Sequence, residues 1–130
     1  MPVTIHRNLF APVVQLIPPG ESIESREIDV GGAQHVTVNV SISGAGASVE
    51  CEILFVHRFG GGVGLAHVHT ETMNPSEDRF SRLYVFLPVH APSLLVRLTN
   101  VGNETARTFH GWVYGVRMAP STFVPPVAPS

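Results

Sequence analysis

The sequence predicts an all-β protein, a single-domain antiparallel β-sandwich of the jelly-roll type with about eight or nine strands. Three observations predict this fold. Several segments alternate apolar and polar residues with a period of two, and glycine- or proline-containing turns separate them about every 8–12 residues. No 11-residue window carries an apolar stripe at helical spacing.

The clearest predicted strand runs from His35 to Ser43, where β-branched residues alternate with polar ones. This alternation predicts one buried face and one polar face. The glycine-rich segment that begins at Gly44 predicts a hairpin turn into a second strand, Ser48 to Arg58. The alternation of the second strand places Cys51 among its core residues.

Further strands are predicted along the rest of the chain. The clearest are Arg82–Leu87, Ser93–Asn100 and Thr105–Met118, and the weaker ones are Val3–Phe10, Val13–Ile17, Ser22–Val30 and Val63–His69. The last strand is predicted to place one set of side chains on a single face: Thr108, His110, Trp112, Tyr114 and Val116. The polar stretch Thr70–Arg79 predicts a surface loop.

Three regions are predicted along the chain. Residues 1–20 form an N-terminal arm with the first strand, residues 21–118 form the sandwich core, and residues 119–130 form a proline-rich extended tail. Apolar residues stand between the prolines of the tail. Phe123 and Val124 are therefore predicted to act as an interface arm that docks on a neighbouring subunit.

Composition excludes several classes of protein. The 130 residues are 44% hydrophobic and only 14% charged, and every one of the 8 basic residues is arginine. A disordered chain would be less apolar, and a formal net charge of -2 does not favour nucleic-acid binding. No apolar run is long enough to span a membrane. No signal peptide is visible, which predicts synthesis in the cytoplasm.

His67 and His69 are the candidate metal ligands. Two residues apart on a predicted strand, their imidazoles would project from one face and could reach one ion. Gly61 stands six residues before His67, so the segment resembles the first half of the first motif of the cupin family, a glycine, five residues and His-x-His. That resemblance implies a metal-dependent protein in a barrel. The acid of the family motif would fall at Met73 or Asn74, and neither is an acid.

Trp112 and Tyr114 are the candidate ligand platform. They share a face of the last predicted strand, with Tyr84 as a candidate neighbour. Exposed aromatic rings on β-sandwiches commonly stack against sugar rings, while buried ones pack in the core. The platform therefore predicts a carbohydrate ligand only if the rings are exposed.

The sequence contains no specific catalytic motif, which predicts a protein that is not an enzyme and needs no cofactor. Its low charge leaves sheet edges and outer faces poorly protected, which favours burial against partners. The main functional prediction is thus a structural subunit of a larger homo-oligomeric assembly, of the capsid-decorating or tail-associated kind found in virions. The alternative is a β-sandwich module that binds carbohydrate or another ligand, and the second alternative is the cupin-like metal protein.

Overall fold

The computed structural model describes residues 2–10, 15–77 and 79–118, and it confirms the antiparallel β-sandwich. The first sheet has the strand order β1 (Pro2–Asn8), β10 (Ala106–Met118), β5 (Ala33–Ser43) and β8 (Ser81–Pro88), and β2 (Leu16–Ile17) also pairs with β10. The second sheet has the order β3 (Ser22–Glu24), β9 (Ser93–Asn100), β6 (Val49–Phe59) and β7 (Gly62–Met73), and β4 (Ile28–Asp29) also pairs with β9. The described part of the chain contains no helix that could cross a membrane.

The core lies between the sheets, as the period-two alternation predicts. The alternating core side chains of β5 are Val36, Val38, Val40 and Ile42, and those of β6 are Val49, Cys51, Ile53 and Phe55. The residues between them point away from this core, so each sheet also presents an outer face. The outer face of the first sheet carries the site described below.

The glycine-rich segment after β5 is not a hairpin, contrary to the sequence prediction. It carries the chain from the first sheet to the second, because β5 and β6 belong to different sheets. Gly44 and Gly46 both have positive φ there, and Gly44 lies directly against the backbone of Thr105 in the β9–β10 connection. Alternation identified the strands correctly but does not specify which strands pair. The β6–β7 hairpin turns at Gly60 and Gly61 instead.

Asn100 joins the end of β2 to the β9–β10 connection at this end of the sandwich. Its side chain is fully buried, and its amide nitrogen donates hydrogen bonds to the carbonyl oxygens of Ile17, at 2.8 Å, and Glu104, at 2.7 Å. Its side-chain oxygen accepts a hydrogen bond from the backbone nitrogen of Gly102. A buried amide with all these partners fixes the backbone of the surrounding turns.

Two strand details differ from the alternation pattern. A bulge in β10 between Thr108 and His110 turns Thr108 inward, where its hydroxyl accepts a hydrogen bond from the backbone nitrogen of Gln15.

The predicted loop Thr70–Arg79 was wrong in its first part, since β7 continues to Met73. Met73 pairs with Val49 and is buried, and this packing extends the strand through a polar sequence.

Cys51 gives the fold a specific dependence on alkaline pH. Burial, reinforced by the negative charges of Glu71 and Glu52, raises the pKa of this thiol from 9.0 to about 12. The unfolded chain releases the thiol proton above pH 9 while the folded chain retains it, so stability is lost as the pH rises through that range. At about pH 10.5 the loss is expected to be ~2 kcal/mol.

Urea unfolding of the wild type and of Cys51→Ala at pH 8 and near pH 10.5 measures this contribution. The alanine variant lacks the thiol, so its stability should fall less between the two pH values, by about 2 kcal/mol. An equal fall in both proteins would show that the thiol titrates normally in the folded state.

Candidate functional site

The outer face of the first sheet arranges side chains from four strands in rows. Strand pairing sets one row across Asn8, Trp112, Asn39 and Tyr84, and the next row across His6, Tyr114, Thr37 and Phe86. These residues come from β1, β10, β5 and β8, in that order. The fold therefore gathers aromatic residues that are far apart in sequence onto one surface.

Trp112 and Tyr84 approach each other across the central strand β5. Their ring centroids are 6.4 Å apart and the rings are nearly perpendicular, at 87°. Asn39 lies between them in the row and is only 4% exposed. Its side-chain amide has no hydrogen-bond partner among the described residues. The edge-to-face contact of the two rings covers most of this amide.

A groove of about 490 Å³ opens in the neighbouring row. Tyr114 forms one side and Phe86 the other, and Thr37 lies between them. Tyr114 is 44% exposed and Phe86 66% exposed, so both rings are available to a ligand. His35 also lines the groove and stacks on Phe86 at 4.9 Å, with an angle of only 12° between the rings.

His6 supports the aromatic residues of β10 from the edge strand β1. Its ring meets Trp112 edge-on at 5.5 Å and Tyr114 at 6.4 Å. These contacts restrict the rotation of both rings and so preorganise the surface for a ligand.

The structure does not place the candidate metal ligands on one face. His69 pairs with Ile53 and His67 with Leu54, and the bulge between these pairs separates the two imidazoles. His67 Nε2 lies 2.6 Å from a carboxylate oxygen of Glu52, and His69 Nε2 lies 3.2 Å from Glu71. Within residues 2–10, 15–77 and 79–118, no group of three or more His, Cys, Asp or Glu could hold a metal ion. Metal binding at His67 and His69 stays a prediction.

Sequence reasoning placed Trp112 and Tyr114 on one face, and the structure places Tyr84 beside Trp112. It missed Phe86, His35 and Asn39. The alternation of β5 and β8 could have placed each on an outward position, but sequence gives no sign that β5 lies between β10 and β8. Phe123 and Val124, predicted to form an interface arm, lie outside the described residues.

No protein-family model and no curated protein matches this sequence. Solved structures similar to the chain include the Clostridium thermocellum xylanase 10B with its CBM22-1 and GH10 modules bound to xylohexaose, at 7% identity and a TM-score of 0.49. That match covers 93% of this chain and only 27% of the xylanase chain.

Two further solved structures are single modules. The CBM22-1 xylan-binding domain of Paenibacillus barcinonensis Xyn10C is 12% identical, with a TM-score of 0.48, and the match covers 90% of this chain and 95% of that domain. The C-terminal CBM6 of the Zobellia galactanivorans laminarinase LamC is 13% identical, with a TM-score of 0.42, and the match covers 91% of this chain and 100% of that module. At these identities the likeness concerns the fold.

The predicted role as a structural subunit of a virion-type assembly was wrong. The three solved structures contain carbohydrate-binding modules, and none of the three is a capsid or tail protein. Low charge and a missing lysine are properties of composition, and they do not distinguish a surface buried in an assembly from one that binds a ligand.

Proposed function

We propose that this protein is a non-catalytic carbohydrate-binding module and that its binding site is the aromatic groove on the outer face of the first sheet. The observation that supports this most strongly is the row arrangement itself. Exposed rings from β10 and β8 flank polar residues of β5, so an apolar surface and hydrogen-bonding groups face the same ligand.

This arrangement matches the chemistry of a sugar ring. The C–H faces of a pyranose are apolar and pack against aromatic rings, while its hydroxyl groups both donate and accept hydrogen bonds at the rim. Tyr114 and Phe86 offer the flat faces in one row, and Thr37 between them offers a hydroxyl group. Adjacent rows on a strand are about 6.8 Å apart, so a chain of sugars can engage both rows.

The non-catalytic part of the proposal rests on the residues that face the groove. Glycoside hydrolysis usually uses a pair of carboxylates beside the scissile bond. The outward positions of the first sheet carry no Asp or Glu in the part of the chain that the structure describes. The groove thus has groups for binding a sugar and lacks the usual pair for cleaving it.

Affinity electrophoresis against soluble polysaccharides tests the proposal, with xylan, mixed-linkage glucan and laminarin as the first probes. Wild type should be retarded by at least one of them, and Tyr114→Ala, which removes one side of the groove, should be retarded much less. Removing a ring that buries roughly 60 Å² against a sugar costs about 1.5 kcal/mol, which is about tenfold in affinity.

Leu65→Ala is the matched control. Leu65 is 43% exposed, close to the exposure of Tyr114, but it lies on β7 of the opposite sheet. The control should be retarded as strongly as wild type. Equal losses in Tyr114→Ala and Leu65→Ala, or no retardation of wild type by any polysaccharide, would contradict the proposed site.

A further inference from the structure

The outer face of the first sheet is cationic at the end beyond the aromatic rows. The next outward row holds His110, Ser41 and Arg82, and the row after it holds Leu16, Arg107 and Ser43. Arg82 and Arg107 are both exposed, and only serine stands beside them on β5. This end of the face thus carries two guanidinium groups within two rows of the Trp112–Tyr84 pair.

Neither arginine is neutralised by a carboxylate among the described residues. The guanidinium of Arg82 lies over the Phe80 ring at 5.3 Å, and its Nε is 3.4 Å from the Ser41 hydroxyl. Among the described residues, the next groove beyond this end is lined by Phe80 together with Glu77 and Arg79, one residue of each charge.

Two arginines of the second sheet, in contrast, form ion pairs with glutamates. Arg97 lies 2.9 Å from Glu24 and 3.9 Å from Glu52, and Arg58 pairs with both carboxylate oxygens of Glu27. The pairing with Glu27 also raises the pKa of Arg58. In the first sheet Arg117, which lines the groove, lies 3.5 Å from Asp29. Arg82 and Arg107 have no such carboxylate partner among the described residues.

We propose that the ligand of the groove is an anionic polysaccharide, whose sugar rings lie on the aromatic rows while an acidic substituent binds Arg82 and Arg107. This inference rests on the proposed function and specifies the ligand class. A guanidinium binds a carboxylate or a sulfate through charge-assisted hydrogen bonds. The Ser41 row lies about 6.8 Å from the Asn39 row, and the Ser43 row about 14 Å, distances that a substituent on a neighbouring sugar can span.

Calorimetric titration with matched oligosaccharides tests the ligand class. The probes are neutral xylo-oligosaccharides, the same backbone bearing glucuronic acid, and the same backbone bearing sulfate. At low salt the acidic member of a pair should bind about tenfold tighter, the gain expected of hydrogen bonds to a charged group. The preference should shrink in about 0.5 M salt because exposed charges are screened. The uronate and sulfate arms identify which anion is preferred.

The double variant Arg82→Gln and Arg107→Gln should lose the preference and keep its affinity for the neutral member. Arg26→Gln, which removes an exposed arginine outside this face, should retain the preference. Equal affinity of wild type for neutral and acidic members would overturn this inference and leave the proposed function standing. Persistence of the preference in the double variant would also overturn it. Failure of every saccharide to bind would overturn both.

Discussion

Replacing Gly44 by alanine is expected to lower the free energy of unfolding by about 3–4 kcal/mol. Gly44 has a φ of 121°, which non-glycine residues rarely adopt. A Cβ added there would lie 2.5 Å from the carbonyl oxygen of Thr105 and 3.2 Å from the Cα of Ala106. Both obstacles are backbone atoms, so no side-chain rotation can relieve them. The two inter-sheet connections would have to move apart.

Gly60→Ala is the control for this prediction. Gly60 lies in the β6–β7 hairpin, where an added Cβ would meet nothing within 4 Å and φ is not positive. Its stability should stay within about 0.5 kcal/mol of wild type. Urea unfolding of the three proteins measures the difference. If Gly44→Ala and Gly60→Ala are equally stable, the close approach of the two connections is not a feature of the folded protein.

The sequence was sufficient to predict the fold class, because alternation is a local property and burial follows it. Every second residue from Val36 to Ile42 on β5 and from Val49 to Phe55 on β6 falls on the core face as expected. The pairing of strands was not predictable in the same way. The glycines of the turn at Gly44 are equally typical of a hairpin and of a connection between sheets. Only the packing of Gly44 against Thr105 shows that this turn connects the two sheets.

The candidate site was partly predictable for the same reason. The shared face of Trp112 and Tyr114 follows from alternation along one strand. The opposite side of the groove, Phe86, comes from a strand that reaches this face only through β5. Two further features depend on β-bulges: Thr108 points inward, and His67 is separated from His69. A bulge shifts the alternation of side chains by one residue, and its position cannot be recognised in an alternating sequence.

Removing both sides of the groove is expected to reduce sugar affinity about 100-fold. Tyr114→Ala and Phe86→Ala each remove an exposed ring, and the loss of about 1.5 kcal/mol for each corresponds to about tenfold in affinity. Both rings are solvent-exposed, so the double variant should unfold at nearly the same urea concentration as wild type. A loss of binding without a loss of stability would then show that the two rings of the groove contact the sugar.

The fluorescence of Trp112 tests the central claim most directly. It is the one tryptophan in the sequence, and it stands one row from the groove beside Tyr84. Titration with the oligosaccharide that binds best should produce a saturable change in its emission in wild type, and the same change should require about 100-fold more ligand in the Tyr114→Ala and Phe86→Ala double variant. If calorimetry detects binding while the emission of Trp112 stays constant, or if the double variant binds as tightly as wild type, the sugar does not bind on this face.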